Sequence, residues 1–295
     1  MSAVPLGNPY LLLAVAGLCW SGNHIIGRAA AGHVPPFGLS TARWLLPAVV
    51  LLWLAKPHLE RDWPLIKAHW RILLFLSLTG GALFSALQYL GLQYTSALNV
   101  SVFNSLVPVL IVAAGALIFG DRLALPQLLG ILASLMGVLV IVTRLDFGAL
   151  AGLAFNRGDL IILFNMAAWA VYSSYLRLKP AIHWASFLLV MAVSSCLMTA
   201  PMFVWEHLSG FTFQPTLLTI GAILYVAIFP SVIAMAAWNR GVELIGPNRA
   251  GPFLHLVPLY SAVLAYLLLG EQLRAYHLLG FALILCGVYF AARRR

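Results

Sequence analysis

Ten apolar stretches follow one another along this chain with almost nothing between them. They run over about 9–29, 37–55, 71–93, 96–118, 126–143, 158–177, 184–205, 217–239, 248–269 and 275–292, each close to the roughly 20 residues that carry a helix across a bilayer. The connections are short, AKPHLERDWP, FGDRLALP, LKPAIHW and LGEQLRAY among them, and leave no room for a soluble domain. An all-α integral membrane protein is the fold class this dictates. Composition agrees: of 295 residues 62% are hydrophobic and 8% charged, against about 25% charged in soluble domains.

A net charge of +9 would suggest nucleic acid in a soluble protein. Here the basic residues flank apolar runs and build no patch, which excludes a nucleic-acid partner and leaves the bilayer and a small molecule. With the N-terminus inside, inner connections hold Lys56, Arg61, Lys67, Arg71, Arg122, Arg177, Lys179, Arg240, Arg249 and Arg293–Arg295. Outer ones hold only Arg28, Arg43, Arg144, Arg157 and Arg274. Lysine and arginine accumulate on the cytoplasmic side, so both termini are expected in the cytoplasm of a bacterial-type inner membrane. MSAVPLGNPY has no basic leader, and the first stretch reads as a retained helix. Cys19, Cys196 and Cys286 lie in apolar runs without ligand spacing, so neither disulfide, metal nor cofactor is implied.

Shifting the chain by 150 residues overlays Gln88–Pro108, QYLGLQYTSALNVSVFNSLVP, on Trp238–Pro258, WNRGVELIGPNRAGPFLHLVP. Beyond these come Gly120/Gly270, Leu128/Leu278, Gly130/Gly280, Leu135/Leu285 and Gly137/Gly287, and Asp121 meets Glu271. Upstream, Trp20 and Arg28 meet Trp169 and Arg177 at a shift of 149. Apolar low complexity can imitate leucine matches, but not proline, glycine and an acid in register. Two halves, 1–148 and 149–295, therefore hold five stretches each. Five is odd, so the second half enters from the opposite face, as an inverted-topology repeat around a mid-membrane site. Pro108 and Pro258 interrupt matching apolar helices and are read as kinks or hinges.

The two five-helix halves, the LQYTSALNVS turn, the paired Leu-Val-Pro and the GD/GE…GxxxxxxGV endings resemble the drug/metabolite transporter superfamily, EamA type. The resemblance spans essentially the whole chain. It implies a central cavity lined by helices 1, 3, 4, 6, 8 and 9, and a layout similar to that of the family's aromatic amino acid exporters.

Polar side chains avoid lipid and mark a bundle interior or a wet cavity. At helical spacing they give Trp20, Asn23 and His24 in the first stretch, Gln88 and Tyr89 in the third, and Ser101 and Asn104 in the fourth. Trp169, Tyr172 and Ser173 follow in the sixth, Trp238 and Asn239 in the eighth, and His255 in the ninth. Their occurrence in matching helices favours a substrate path over helix-to-helix bonding. Arg43 and Arg249 are the charges nearest the apolar interior; snorkelling to the interface is the first expectation for both, and binding a substrate carboxylate the second. Trp44, Trp53, Trp63, Trp70 and Trp184 fall near stretch ends, where an interfacial aromatic belt is expected. Helices 5 and 10 carry Gly130, Ser134, Gly137, Gly280 and Gly287, small residues suited to close packing; monomer and homodimer both stay open.

The acids Glu60, Asp62, Asp121, Asp146, Asp159, Glu206, Glu243 and Glu271 all map to connections or helix ends. No intramembrane carboxylate stands ready to exchange a cation for protons. The expectation is an exporter of small neutral or zwitterionic metabolites, amino acids including aromatic ones first, working by alternating access. The alternatives are export of nucleosides, amines or quaternary cations, or an intramembrane enzyme or lipid-handling protein. No HExxH, GxSxG or paired-carboxylate motif supports the enzyme.

Overall fold

The structure is a computed structural model describing residues 7–30, 34–95, 100, 103–146, 148, 156–214, 216–269 and 274–292, apart from the side chains at 24, 25, 27–30, 265, 268, 269 and 292. Among the described residues there are helices and turns and no strand. In chain order the helices are α1 (Pro9–Ala30), α2 (Pro36–Ala68), α3 (Trp70–Tyr94), α4 (Val107–Phe119) and α5 (Leu125–Thr143). They continue as α6 (Arg157–Leu178), α7 (Trp184–Leu208), α8 (Leu217–Ile245), α9 (Leu256–Leu269) and α10 (Ala275–Ala292). Six of them, α2, α3, α5, α6, α7 and α8, are long and apolar enough to cross a membrane. Large apolar side chains such as Leu117, Leu208 and Leu217 point outward, as lipid allows and water does not.

Two expectations about element ends are corrected. The stretch 56–68, read as a connection, is helical, and α2 runs 33 residues through Pro47, Pro57 and Pro64. At 1.5 Å per residue that is roughly 50 Å, well beyond the roughly 30 Å hydrocarbon core. Past the core, the carbonyls that Pro57 and Pro64 leave without an N–H partner can be satisfied by water. In the other direction, the ninth stretch is not one helix: Pro247–Ala250 and a 3-10 turn, Gly251–His255, precede α9. Pro108 and Pro258 thus stand in the first turns of α4 and α9, where a missing N–H costs nothing. The breaks lie just before them.

Irregular geometry recurs in the other matched pair. α3 holds a π-helical segment, Leu78–Leu83, and α8 holds another, Phe229–Ile233. A π segment loosens the local ladder and is frequent at functional sites. That of α3 packs Gly80 onto the ring of Tyr172, where any Cβ would collide. That of α8 turns the Pro230 carbonyl toward Trp20, whose Nε1 donates to it at 3.3 Å.

Helix pairing follows small residues and carboxylate caps. α5 and α10 cross through glycine: a Cβ on Gly130 would lie 2.6 Å from the Gly287 carbonyl oxygen, and one on Gly137 2.7 Å from that of Gly280. The small residues expected in these helices therefore pack on each other within one chain. α2 and α7 lie antiparallel and cap each other. Glu206 near the end of α7 accepts from Gly38 N at 2.9 Å, and Asp62 near the end of α2 accepts from His183 N at 2.8 Å. Carboxylates at helix N-termini satisfy free amides and favour the dipole. Asp159 belongs to the same class: it completes a capping box with Asn156 and receives the Thr95 hydroxyl, tying the end of α3 to the start of α6.

Candidate functional site: an aromatic layer beneath a basic cleft

Apolar side chains bring α1, α3, α6 and α8 together at mid-bundle, and the tryptophans of three of them meet there. Trp20 and Trp169 make an edge contact with centroids 5.1 Å apart, and Trp238 lies 5.5 Å from Trp20 and 5.7 Å from Trp169. Phe84 from α3 and Tyr172 complete the layer, at 4.5 and 5.1 Å from Trp169. All are buried, and such contacts are worth about 0.5–1.5 kcal/mol each beyond area burial.

On one side of this layer a cleft of ≈ 1950 Å³ opens between α1, α7, α8 and the connection after α6. Its rim carries Arg61, Arg122, Arg177, Lys179, Arg240 and Arg249, with Asp121 and Glu243 between them. Arg177 clasps Asp121 with two hydrogen bonds, 2.9 and 2.6 Å, and Asn248 adds a third at 3.0 Å. The guanidinium holds the Asp121 carboxyl below the usual carboxylate range, against partial burial. Lys179 and Arg240 both pair with Glu243. Across the mouth His58 and His183 stack at 3.6 Å, and burial, aided by the neighbouring His58, pushes the His183 imidazole below its ordinary value.

On the far side of the layer lies a polar knot around Arg43, and here an expectation fails. Arg43 does not snorkel: it is wholly buried. Its Nε donates to Ser231 Oγ at 2.8 Å and its Nη1 to Tyr89 Oη at 3.3 Å. The rings of Trp44, Phe84 and Tyr89 surround it at 5.6, 6.0 and 6.0 Å, within cation–π range. Trp44, expected in the interfacial belt, is likewise buried and donates to Ser85 Oγ at 3.0 Å. Trp53, Trp63, Trp70 and Trp184 are exposed, as a belt requires.

Of the residues singled out in the sequence, Asn239 reaches the cleft. Trp20, Trp169, Tyr172 and Trp238 form the layer beneath it. Asn23 and Tyr89 belong to the knot, Tyr89 donating to Asn23 Oδ1 at 3.0 Å. Gln88 accepts from Asn165 Nδ2 at 2.7 Å, and Tyr172 donates to Asn239 Oδ1 at 2.5 Å. Several buried polar atoms are left over: Gln88 Nε2, Asn165 Oδ1, Ser173 Oγ, Trp238 Nε1 and Asn239 Nδ2 have no protein partner. Buried polar atoms are normally satisfied, so this set marks a place for a polar molecule. His255 is different. Its Nδ1 meets Ser134 Oγ at 2.6 Å and its Nε2 the Ser105 carbonyl at 2.8 Å, so it ties helices together with both nitrogens engaged. Asn104 is half-buried, while Ser101 and the side chain of His24 lie outside the described residues. Of the expected lining, the ninth stretch reaches the cleft through Asn248 and Arg249, whereas no residue of α3 or α4 lines it and α7 supplies Trp184, Phe187 and Leu188.

Sequence reasoning undervalued Arg43, because a charge eight residues into an apolar helix is within snorkelling reach of its end. Phe84 carried no signal apart from hydrophobicity, and Trp44 only its place near a stretch end, which pointed to the interface.

The profile of the EamA-like transporter family matches residues 8–143 and again 156–293. An uncharacterised transporter of Archaeoglobus fulgidus is 30% identical, over 97% of this chain and 98% of its own. The uncharacterised transporter YyaM of Bacillus subtilis is 24% identical, over 97% and 93%. A probable amino-acid metabolite efflux pump of Salmonella typhimurium is 25% identical, over 95% and 93%. A solved protein crystal structure, 22% identical, superposes with a TM-score of 0.74 over 96% of both chains, a likeness of fold.

Proposed function

Because the chain belongs to the EamA-like transporter family and is a multi-pass membrane protein, we propose that it exports small zwitterionic or neutral metabolites, aromatic amino acids foremost, across the cytoplasmic membrane. The observation that carries this reading is the Trp20–Trp169–Trp238 layer, bordered by unpartnered donors on Trp238 and Asn239. Rings can receive an aromatic side chain, these free donors a carboxylate, and the free acceptors Asn165 Oδ1 and Ser173 Oγ an amino group. The Salmonella relative, named as a probable amino-acid metabolite efflux pump, points to the same class.

In this reading ten spans form two inverted halves, 1–148 and 149–295. Reciprocal contacts support the arrangement: Gly91 receives Ile162 of α6, and Gly241 receives Leu13 of α1, with would-be Cβ contacts of 2.6 Å in both. The basic rim faces the cytoplasm, so the cleft is the entry side for an exported molecule and the aromatic layer is the closed gate. Rocking of the halves, eased by the breaks before Pro108 and Pro258 and by the two π segments, would part it.

Counterflow into proteoliposomes, with labelled phenylalanine, tryptophan and leucine, tests the reading. Uptake is expected, and Trp169→Ala is expected to lower it by on the order of tenfold, the loss of about 1–1.5 kcal/mol of ring contact. Sealed vesicles holding folded protein that move none of the three would overturn it.

A further inference from the structure

We propose that Arg43 is the receptor for a substrate carboxylate, which restricts transport to molecules bearing an anionic group. This rests on the transport reading above and adds a substrate class to it.

A buried guanidinium is normally paired, since taking its charge out of water costs several kcal/mol. The ion pairs among the described residues are Arg61–Asp62, Arg177–Asp121, Lys179–Glu243 and Arg240–Glu243. None involves Arg43. Its neighbours are two hydroxyls and three ring faces, and Nη2 has no partner at all. The buried acids are occupied elsewhere: Asp62, Asp159 and Glu206 cap helices.

The way the side chain is held matters as much as the missing counter-charge. Nε is fixed on Ser231 Oγ, and that hydroxyl donates at 2.6 Å to the Val226 carbonyl, which the π segment of α8 leaves accessible. Pinning Nε leaves the terminal Nη1–Nη2 edge facing away from its anchor, with Nη1 engaged only at 3.3 Å. That edge is the part of arginine that fits a carboxylate with two parallel hydrogen bonds.

Position completes the argument. Phe84 touches both the aromatic layer, 4.5 Å from Trp169, and the cation, 6.0 Å from Arg43. The cation is thus one side chain away from where an aromatic ring would pack, a spacing that suits an α-amino acid. Shifts of 149 and 150 residues carry Arg43 onto Ala192 and Val193 of α7, so this charge has no twin. An amine or quaternary cation would meet an unneutralised positive charge and be repelled.

The test is counterflow of phenylalanine, phenylalaninamide and phenethylamine by the full-length protein in vesicles. Wild type is expected to prefer the acid over both by roughly 10- to 100-fold, the range for hydrogen bonds to a charged group. Arg43→Gln is expected to lose acid transport by that factor and to move the amine and the amide faster than wild type, the repulsion being gone; Arg43→Lys, which keeps charge without the fork, should retain part of the preference. Equal loss of all three probes in a folded Arg43→Gln protein would mean a structural role and overturn the proposal, as would a variant that keeps the preference. If Arg43→Gln cannot be recovered folded, the wild-type comparison decides alone: acid and amide moving equally well overturns the proposal. Transport of phenylalanine without discrimination removes Arg43 only, whereas a wild type that moves no amino acid removes the transport reading with it.

Discussion

The two halves make the same bond in opposite senses. In the first, Tyr89 of α3 donates to Asn23 of α1; in the second, Tyr172 of α6 donates to Asn239 of α8. A shift of 149–150 residues carries each tyrosine onto the other half's asparagine. The bond has been kept while donor and acceptor exchanged helices. Around it the halves part company. Gln88 maps onto Trp238, Asn165 onto Ala16, and Ser231 onto Gly81, so one side of the centre is polar and charged and the other aromatic and small. What duplicates is the frame that holds helices in place; what diverges is the surface a substrate would touch.

The frame offers the largest effect. Gly137 and Gly287 are equivalent positions in the α5–α10 crossing, and a Cβ at either falls on backbone of the facing helix, at 2.7 and 2.5 Å. Backbone cannot move aside as a flexible side chain can, so Gly137→Ala and Gly287→Ala are each expected to cost about 3 kcal/mol or prevent recovery of folded protein. Thermal melting in detergent measures this. Markedly unequal costs would break the equivalence of the halves.

The lining gives a smaller and deliberately unequal outcome. Tyr172→Phe removes one buried hydrogen bond and Tyr89→Phe two, and each should lower stability by about 1–2 kcal/mol. Their effects on transport should differ, because Tyr89 also receives Arg43 Nη1. We expect Tyr89→Phe to raise KM for phenylalanine several-fold and Tyr172→Phe to change it less. Equal shifts in KM would show that the halves share substrate contacts as evenly as they share the frame.

The frame was far more legible in the sequence than the lining, for a physical reason. A spanning helix needs a long apolar run and a close crossing needs glycine, and both signals survive in composition and spacing. Hence helix positions and the close-packing faces of α5 and α10 were foreseeable, though not that these two faces meet each other or that the three tryptophans pack together. Helix ends were not, because Pro57 and Pro64 read as breakers where water can satisfy the carbonyls they orphan. The π segments at 78–83 and 229–233 left no signature in LTGGAL beyond glycine. Arg43 was visible as a charge but not as a buried one: reach to the interface depends on neighbours, and its neighbours Ser231, Tyr89 and Phe84 come from helices far along the chain. His255 shows the converse, a titratable residue at membrane depth that serves as a tie.

The smallest effect concerns the reciprocal caps of α2 and α7. Glu206 accepts from Gly38, and Asp62 from His183, but only the second cap adds an imidazole. The His183 ring accepts from Ala185 N and stacks on His58, with Arg61 and Asp62 nearby. Burial, the His58 ring and Arg61 all disfavour its protonated form, and Asp62 opposes them; the net shift is downward. A group whose value is lower folded than unfolded binds more protons when unfolded, so stability rises with pH across the interval between the two values. The melting temperature should therefore fall as pH drops below about 6.5, the ordinary imidazole value. His183→Asn keeps a side-chain acceptor for the α7 N-terminus and removes the titration. It should flatten the dependence of the melting temperature on pH between about 7.5 and 5.5. A slope that persists in His183→Asn would place the titrating group elsewhere and leave the two caps alike.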